Sequence, residues 1–215
     1  MAQTRAPKSV LVAGATGLVG RECVDLLLAN PLFTRIVALV RRSLPASIES
    51  ERLKIEKVDF NRLEEKPDIF AADCIICALG TTLKQAGSDA LFRTVNYDYP
   101  RTIARIGIER GVKHFILVSS LGANPGSLIF YNHTKAELES AVEEIGYRSY
   151  TIVRPSRVLG AEGERSPGMK LAEVISPVLP AKFRPVTAAV LAATLVRAAL
   201  DDSPGKKIIE GADIH

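Results

Sequence analysis

Residues 9–20 of the chain read SVLVAGATGLVG. The first five residues are mostly apolar and predict a buried strand, and a stretch of helical period begins at Leu18. Between them, Gly14 allows a tight turn, Gly17 lets the backbone approach a bound group, and Gly20 lets the helix pack closely on the strand. A helix N-terminus in this position attracts an anion. The stretch therefore predicts a strand, turn and helix that bind the pyrophosphate of a dinucleotide.

Short apolar runs alternate with helical stretches along the rest of the chain. This alternation predicts a parallel sheet that is covered by helices on both faces. The fold class is thus α/β, a doubly wound parallel sheet of the Rossmann type, in which ligands bind outside the carboxyl ends of the strands. We expect strands at about 9–13, 35–40, 53–58, 74–78, 114–118, 150–153 and 207–209, the third of them near an edge, and helices at about 18–29, 88–110, 134–145 and 187–200.

The length of 215 residues predicts a single domain over residues 1–215. The alternation of strand and helix breaks down at residues 160–185, which are rich in proline and glycine. A segment of this length is too short to fold alone. We therefore interpret residues 160–185 as a small C-terminal lid on the substrate side.

Composition excludes several classes of protein. With 47% apolar and 24% charged residues the chain is typical of folded proteins, and no apolar run is long enough to cross a bilayer. The net charge of +4 comes from Lys and Arg that are spread along the chain, which does not favour nucleic acid. Three cysteines and no secretory signal predict a reducing cytoplasm. We expect a monomer or homodimer that takes a small-molecule substrate and binds neither membrane nor nucleic acid.

The end of the second predicted strand indicates which dinucleotide is bound. An acidic residue would bind the ribose 2′-hydroxyl of NAD there, but this chain has Arg41 and Arg42. Two guanidinium groups suit a 2′-phosphate, so NADP(H) is preferred and NAD(H) remains possible. Alternatively, Arg41 and Arg42 are solvated side chains at the end of a strand and bind no phosphate. Asp59 and Phe60 follow the third strand, where Asp59 could accept a hydrogen bond from the adenine amino group or could simply be a turn residue.

A second group of residues carries chemistry. Ser119 and Ser120 end the fifth predicted strand, and Tyr131 and Lys135 follow at a spacing that places both on one helix face. A tyrosine has an ordinary pKa of about 10, which a neighbouring ammonium group lowers. Tyr131 could then exchange a proton near neutral pH while a serine hydroxyl binds the substrate oxygen. The pattern predicts hydride transfer coupled to proton transfer by Tyr131.

These motifs together resemble the short-chain dehydrogenase/reductase superfamily, and within it the atypical members that include the Tat-interacting tumour-suppressor proteins and their bacterial relatives. The matching segments extend over nearly the whole chain: residues 14–20, 79–82, 119–123, Tyr131 with Lys135, and 154–160. The chain departs from standard members in having Ala13 where they have threonine, and in lacking the full substrate domain of the extended members.

The resemblance implies a role for each matching residue. Tyr131 is the acid/base, Lys135 lowers the pKa of Tyr131 and binds the nicotinamide ribose, and Ser120 orients the substrate oxygen, with Ser119 as the less favoured partner. Asn96 resembles a helix asparagine that supports a proton relay. The catalytic residues are then Ser120, Tyr131 and Lys135, and the cofactor-binding residues are Gly14, Thr16, Gly17, Leu18, Val19, Gly20, Arg41, Arg42, Asp59, Phe60, Leu79, Gly80, Thr81, Ser119, Tyr131, Lys135, Pro155, Ser156 and Val158.

The cysteines and histidines do not suggest a metal site. Cys74 and Cys77 have a redox-like spacing, but the alternation of a strand sends their thiols to opposite faces, so we interpret them as core residues. His114, His133 and His215 have no metal-ligand spacing.

Two functions remain open. The first is an NADP(H)-dependent oxidoreductase that acts on a carbonyl or hydroxyl group of a small metabolite. The second is a nucleotide-binding sensor or scaffold without productive turnover, which the small lid favours. An epimerase or dehydratase that acts on a nucleotide sugar would need a larger substrate-binding part, so the length of the chain disfavours it.

Overall fold

The computed structural model describes residues 6–41, 50–159, 180–201 and 203–214. The strands of this part are β1 Lys8–Ala13, β2 Phe33–Val40, β3 Leu53–Lys57, β4 Cys74–Cys77, β5 His114–Val118, β6 Ser149–Arg154, β7 Val158–Leu159, β8 Val186–Thr187 and β9 Gly205–Glu210. The α-helices are α1 Leu18–Ala29, α2 Leu83–Ala86, α3 Asp89–Arg93, α4 Tyr99–Glu109, α5 Phe130–Ile145 and α6 Ala188–Ala199. A π turn spans Thr94–Asp98, and short 3-10 turns span Phe60–Glu65, Pro67–Phe70, Ala181–Phe183 and Gly211–Asp213.

The main sheet has seven strands in the order β3-β2-β1-β4-β5-β6-β9, and every pair of neighbours is parallel. The order reverses between β1 and β4, and the carboxyl ends of these two strands form the crevice where doubly wound sheets bind ligands. The strand with the strongest alternation, β3, lies at the edge. The predicted fold class is confirmed, and the seven strands of this sheet lie close to the seven positions predicted from the sequence.

The core lies on both faces of this sheet. Val10 and Val12 of β1 pack with Leu27 of α1 and Leu191 of α6 on one face. The alternate β1 residues, including Leu11, pack on the other face with side chains of α4 and α5. Because the central strands β1, β4 and β5 are buried on both sides, they read as mainly apolar runs in the sequence, whereas the edge strands β3 and β9 are partly exposed.

The predicted helix over 88–110 is interrupted. It consists of α3, the π turn and α4, and Asn96 lies inside the π turn. Pro100 has no N–H to donate to the carbonyl group one turn earlier, and the Asn96 amide donates to the Phe92 carbonyl at 3.0 Å. Such bulges are frequent at functional sites.

The helix predicted at 134–145 begins earlier, at Phe130. Its N-cap is Ile129, whose side chain cannot accept a hydrogen bond, so the sequence carries no capping signal at this start. The earlier start includes Tyr131 in the first turn of α5.

The predicted lid falls mostly on residues 160–179, which lie outside the described residues. On either side of them, β7 pairs in parallel with β8, and Thr187 caps α6 by accepting a hydrogen bond from Val190 N at 3.3 Å. Across the described ranges, no helix combines the length and the apolar character needed to span a membrane.

Candidate active site

The glycine turn between β1 and α1 is built from backbone contacts. Gly14 has a φ of +87°, and a Cβ on it would lie 2.8 Å from the Ala78 carbonyl oxygen. Gly17 N donates to the Gly14 carbonyl at 2.9 Å, and a Cβ on Gly20 would collide with that same carbonyl group. Gly14 and Gly20 therefore each stand where a side chain would collide with backbone.

This turn fits a pyrophosphate. The N-cap of α1 is Gly17, so no cap side chain accepts from the first-turn amides, and no acidic residue lies in the first turn. Free amides at a helix N-terminus are the usual donors to a phosphate group.

A groove runs along this turn and encloses about 510 Å³, counted to its open mouth. Seven of the residues predicted to bind cofactor line it: Gly14, Thr16, Gly17, Arg41, Phe60, Leu79 and Gly80. Leu39, Ala78, Val95 and Tyr99 also line it and were missed by the sequence analysis. The other described residues predicted to bind cofactor are not among its lining residues: Leu18, Val19, Gly20, Asp59, Thr81, Ser119, Tyr131, Lys135, Pro155, Ser156 and Val158.

One end of the groove is aromatic. The rings of Phe60 and Tyr99 lie 5.4 Å apart between centroids, and the Tyr99 hydroxyl donates to Asn61 Oδ1 at 2.8 Å. Asp59 accepts from the backbone N–H of Asn61 at 2.9 Å and so caps the 3-10 turn that carries Phe60. Tyr99 was missed because the π turn changes the helical register, which sequence periodicity does not show.

Arg41 directly follows β2, is exposed, and lines the same groove. Arg42, the second predicted partner of a 2′-phosphate, lies outside the described residues. The described part of this strand end thus presents a cation where an NAD-specific site has a carboxylate.

The loop after β4 connects the groove to the polar residues of α5. Asn96 is fully buried, donates to the Thr81 carbonyl at 3.1 Å and accepts from Thr81 N at 3.4 Å. A Cβ on Gly80 would lie 3.6 Å from Asn96 Oδ1 and 4.0 Å from Lys135 Nζ. Asn96 therefore holds the loop that separates the groove from Lys135.

Tyr131 and Lys135 lie on one face of α5, as the spacing predicts. The Lys135 Nζ lies 6.0 Å from the centre of the Tyr131 ring and donates to the Val118 carbonyl at 3.3 Å. Tyr131 is half-buried, with its ring 5.6 Å from that of Phe92 between centroids.

The pKa of Tyr131 shifts in the direction opposite to the expected one. Burial beside apolar groups raises it, because the phenolate loses hydration. Burial also lowers the pKa of Lys135 to about 8, against the opposing charges of Cys77 and Glu139. The lysine is only 2% exposed, so its ammonium form is the costly one.

The two serines have different surroundings. The Ser119 hydroxyl is buried and donates to the Glu139 carboxylate. Ser120 is partly exposed, and within the described ranges its hydroxyl has no hydrogen-bond partner. Ser120 is therefore the serine whose hydroxyl is available to a ligand.

The segment after β6 contacts residues 184–186. Pro155 is buried, the Ser156 hydroxyl donates to the Arg184 carbonyl, and Val158 pairs with Val186. These contacts fix the backbone of Pro155, Ser156 and Val158, which the resemblance assigns to cofactor binding.

The cysteines lie where the alternation predicts. Cys74 and Cys77 are buried, unbridged and part of the cores on opposite faces of the sheet. Within the part of the chain that the structure describes, no three His, Cys, Asp or Glu residues lie close enough together to hold a metal ion.

Residues 14–202 match a family model described as NAD(P)H-binding. The chain belongs to this NAD(P)H-binding family. Protein HTATIP2 of Rattus norvegicus is 35% identical over 207 residues, which cover 94% of this chain and 85% of the rat protein. The mitochondrial protein FMP52 of Candida albicans is 35% identical over 159 residues, 73% of this chain and 69% of the fungal protein. These similarities confirm the resemblance to the atypical, Tat-interacting members of the superfamily.

Solved structures share the fold of this family member. MoeE5 in complex with UDP-glucuronic acid and NAD superposes with a TM-score of 0.75 at 17% identity, covering 94% of this chain and 75% of MoeE5. A UDP-glucose 4-epimerase from Thermotoga maritima, solved with UDP-glucose, has a TM-score of 0.69 at 18% identity and covers 94% of this chain and 76% of the epimerase.

Proposed function

We propose that the protein is an NADP(H)-dependent oxidoreductase that reduces a carbonyl group of a small metabolite, or oxidises the corresponding alcohol. The observation that carries this proposal is the position of Gly80, which lines the groove and faces the Lys135 amine. A nucleotide that lies along the groove would end beside Lys135 and Tyr131.

Different residues of this chain would bind different parts of the nucleotide. The α1 N-terminus and its glycine turn would bind the pyrophosphate, Phe60 and Tyr99 would enclose the adenine, and Arg41 would pair with a 2′-phosphate. Lys135 would bind the nicotinamide ribose. The bound nicotinamide nucleotide would supply or accept the hydride.

Proton transfer belongs to the side chains of α5 and β5. Because burial raises the pKa of Tyr131, its phenol is protonated at neutral pH and can donate a proton to a carbonyl oxygen. The free hydroxyl of Ser120 would donate a hydrogen bond to the same oxygen, and the Lys135 ammonium would stabilise the phenolate that remains.

NADPH oxidation against a panel of aldehydes, ketones and quinones tests this assignment. We expect Tyr131→Phe to lower kcat/KM by about 100-fold or more, because it removes only the transferred proton. The dissociation constant for NADPH, measured by fluorescence, should change by less than about threefold, since the ring and its contact with Phe92 remain. Full turnover in Tyr131→Phe would overturn the role of this residue.

A second function is favoured by one observation. The raised pKa of Tyr131 opposes the phenolate form, which alcohol oxidation would need as its base and a nucleotide-binding sensor would not. Tight NADPH binding by the wild-type protein without turnover of any compound in the panel would favour this sensor. A wild-type protein that binds neither NADPH nor NADH would contradict both functions.

The biological setting is part of the same proposal. The protein would be a monomer or homodimer in the cytoplasm that acts on a small molecule and binds neither membrane nor nucleic acid, and the spread of Lys and Arg along the chain supports the absence of nucleic acid. The fungal FMP52 relatives are described as mitochondrial proteins. Fractionation of cells that express this chain would show whether it lies in the cytoplasm or in mitochondria.

A further inference from the structure

Glu139 is a buried carboxylate one helical turn beyond Lys135. It is 7% exposed, and two side chains donate to it. The Ser119 hydroxyl donates to Oε1, while Arg154 donates from Nε to Oε1 at 3.0 Å and from Nη2 to Oε2 at 2.6 Å. A carboxylate that leaves water is costly unless its lone pairs are satisfied, and here both oxygens accept hydrogen bonds.

The groups that bind Glu139 come from the two strand ends beside the proposed catalytic residues. Ser119 precedes Ser120, and Arg154 is the last residue of β6. The backbones of these strand ends also pair, with Ser119 N donating to the Val153 carbonyl at 2.8 Å and Leu121 N to the Pro155 carbonyl at 2.9 Å. Glu139 thus joins α5 to both strand ends.

Arg154 extends this network to a fourth element. Its Nη1 lies 3.2 Å from an oxygen of Glu210, the last residue of β9. The exposed fraction of the side chains rises from 8% at Glu139 through 23% at Arg154 to 47% at Glu210. The most buried charge of the network is therefore that of Glu139, the member closest in sequence to Lys135.

The same helix offers a matched comparison. Glu137 pairs with Arg93 at 2.6 Å, the same distance as in the Arg154–Glu139 pair, but its side chain is 33% exposed and that of Arg93 is 40% exposed. Exposed pairs of this kind contribute little to a fold.

We propose that Glu139 is a positioning residue of the site, whose carboxylate fixes the Ser119–Ser120 turn and the Arg154–Pro155 strand end relative to Tyr131 and Lys135. This inference rests on the proposed function, which assigns catalytic roles to Ser120, Tyr131 and Lys135. Ser119 then acts through Glu139, and Ser120 is left to meet the substrate oxygen.

Glu139 also acts on the charge of Lys135. The groups that face Lys135 are the Cys77 thiol at the end of β4, the Val118 carbonyl of β5, and Tyr131 and Glu139 on its own helix. The negative charge of Glu139 raises the pKa of Lys135, whereas burial lowers it to about 8. Removal of the charge should therefore move this pKa further down.

The test compares Glu139→Gln with Glu137→Gln in protein labelled with [¹³C]lysine, with the Lys135 resonance assigned by Lys135→Arg. We expect Glu139→Gln to lower the pKa of Lys135 by about half a unit or more, and Glu137→Gln to leave it unchanged. Equal titration of Lys135 in the two variants would overturn the electrostatic part of the proposal.

Amide exchange tests the geometric part. In Glu139→Gln the exchange of the Leu121 amide should accelerate about tenfold or more, because Gln carries no charge to hold Ser119 and Arg154. If this variant does not fold, Ser119→Ala decides, since it removes one donor and leaves the ion pair. It should accelerate the same amide, and Ser127→Ala, on the same loop, should not. Unchanged exchange in Ser119→Ala would contradict the proposal.

NADPH affinity separates this inference from the function on which it rests. Wild-type protein that fails to bind NADPH would overturn the proposed function, whatever the variants do. Wild-type binding together with identical behaviour of the Glu139 and Glu137 variants would overturn only the role of Glu139.

Discussion

The two halves of the site are built from different materials. The half that would hold the nucleotide consists of a glycine turn, a helix N-terminus and apolar or aromatic walls, with Arg41 as the charged residue among its lining. The half that would carry out chemistry contains the buried Lys135 and Glu139 and the half-buried Arg154. The first half depends on steric fit of the backbone, and the second on a balance of charges away from water.

The largest effect should come from the backbone of the nucleotide half. Gly20→Ala places a methyl group against the Gly14 carbonyl, so the turn must move. We expect a loss of about 3 kcal/mol in the free energy of unfolding, because an overpacked contact with backbone cannot relax. Urea unfolding measures this, together with loss of NADPH binding. Gly126→Ala is the control, since a Cβ there lies 3.4 Å from Asn124 Oδ1, and equal stability of the two variants would contradict the steric argument.

The charge balance of the catalytic half should appear in the pH dependence of stability. The pKa of Lys135 is lowered to about 8 in the folded chain, so between this value and its ordinary value the unfolded chain binds more protons. The stability of the wild type should therefore rise by about 2 kcal/mol relative to Lys135→Met between about pH 7 and about pH 10. Urea unfolding at both pH values measures the difference, and Lys84→Met on the exposed helix α2 serves as control. If the stability of the wild type and of Lys135→Met changed in parallel with pH, burial would not lower the pKa of Lys135.

Among the described residues that line the groove, Arg41 is the charged side chain, so its replacement should change the response to a charged group of the nucleotide. Arg41→Asp should weaken NADPH binding by about 10- to 30-fold more than NADH binding, because a charge-assisted pair with the 2′-phosphate becomes a repulsion. Fluorescence titration with both nucleotides measures the ratio. An equal loss for NADH and NADPH would remove the assignment to the 2′-phosphate.

The smallest effect should come from the aromatic end of the groove. Tyr99→Phe removes the hydrogen bond to Asn61 Oδ1 and keeps the ring contact with Phe60. We expect a loss of about 0.5 kcal/mol in the free energy of unfolding, since the bond is exposed to water. Thermal unfolding measures it, and a loss as large as that in Gly20→Ala would mean that this half also depends on polar side chains.

The fold and the nucleotide half could be predicted because their signals are local. Gly14, Gly17 and Gly20 show their spacing within a few residues, and the runs of the central strands are apolar because both faces are buried. Tyr99 could not be predicted, since the π turn before it changes which helix face meets the groove.

The sequence by itself determined the sheet, the glycine turn, and the pairing of Tyr131 with Lys135, because each depends on spacing within a single segment. The tertiary structure decided which of the two serines stays free and which direction the pKa of Tyr131 shifts. It also joined Glu139 of α5 to Ser119, which follows β5, and to Arg154 at the end of β6. These outcomes depend on burial and on hydrogen bonds between distant segments, and neither is encoded in the spacing of neighbouring residues.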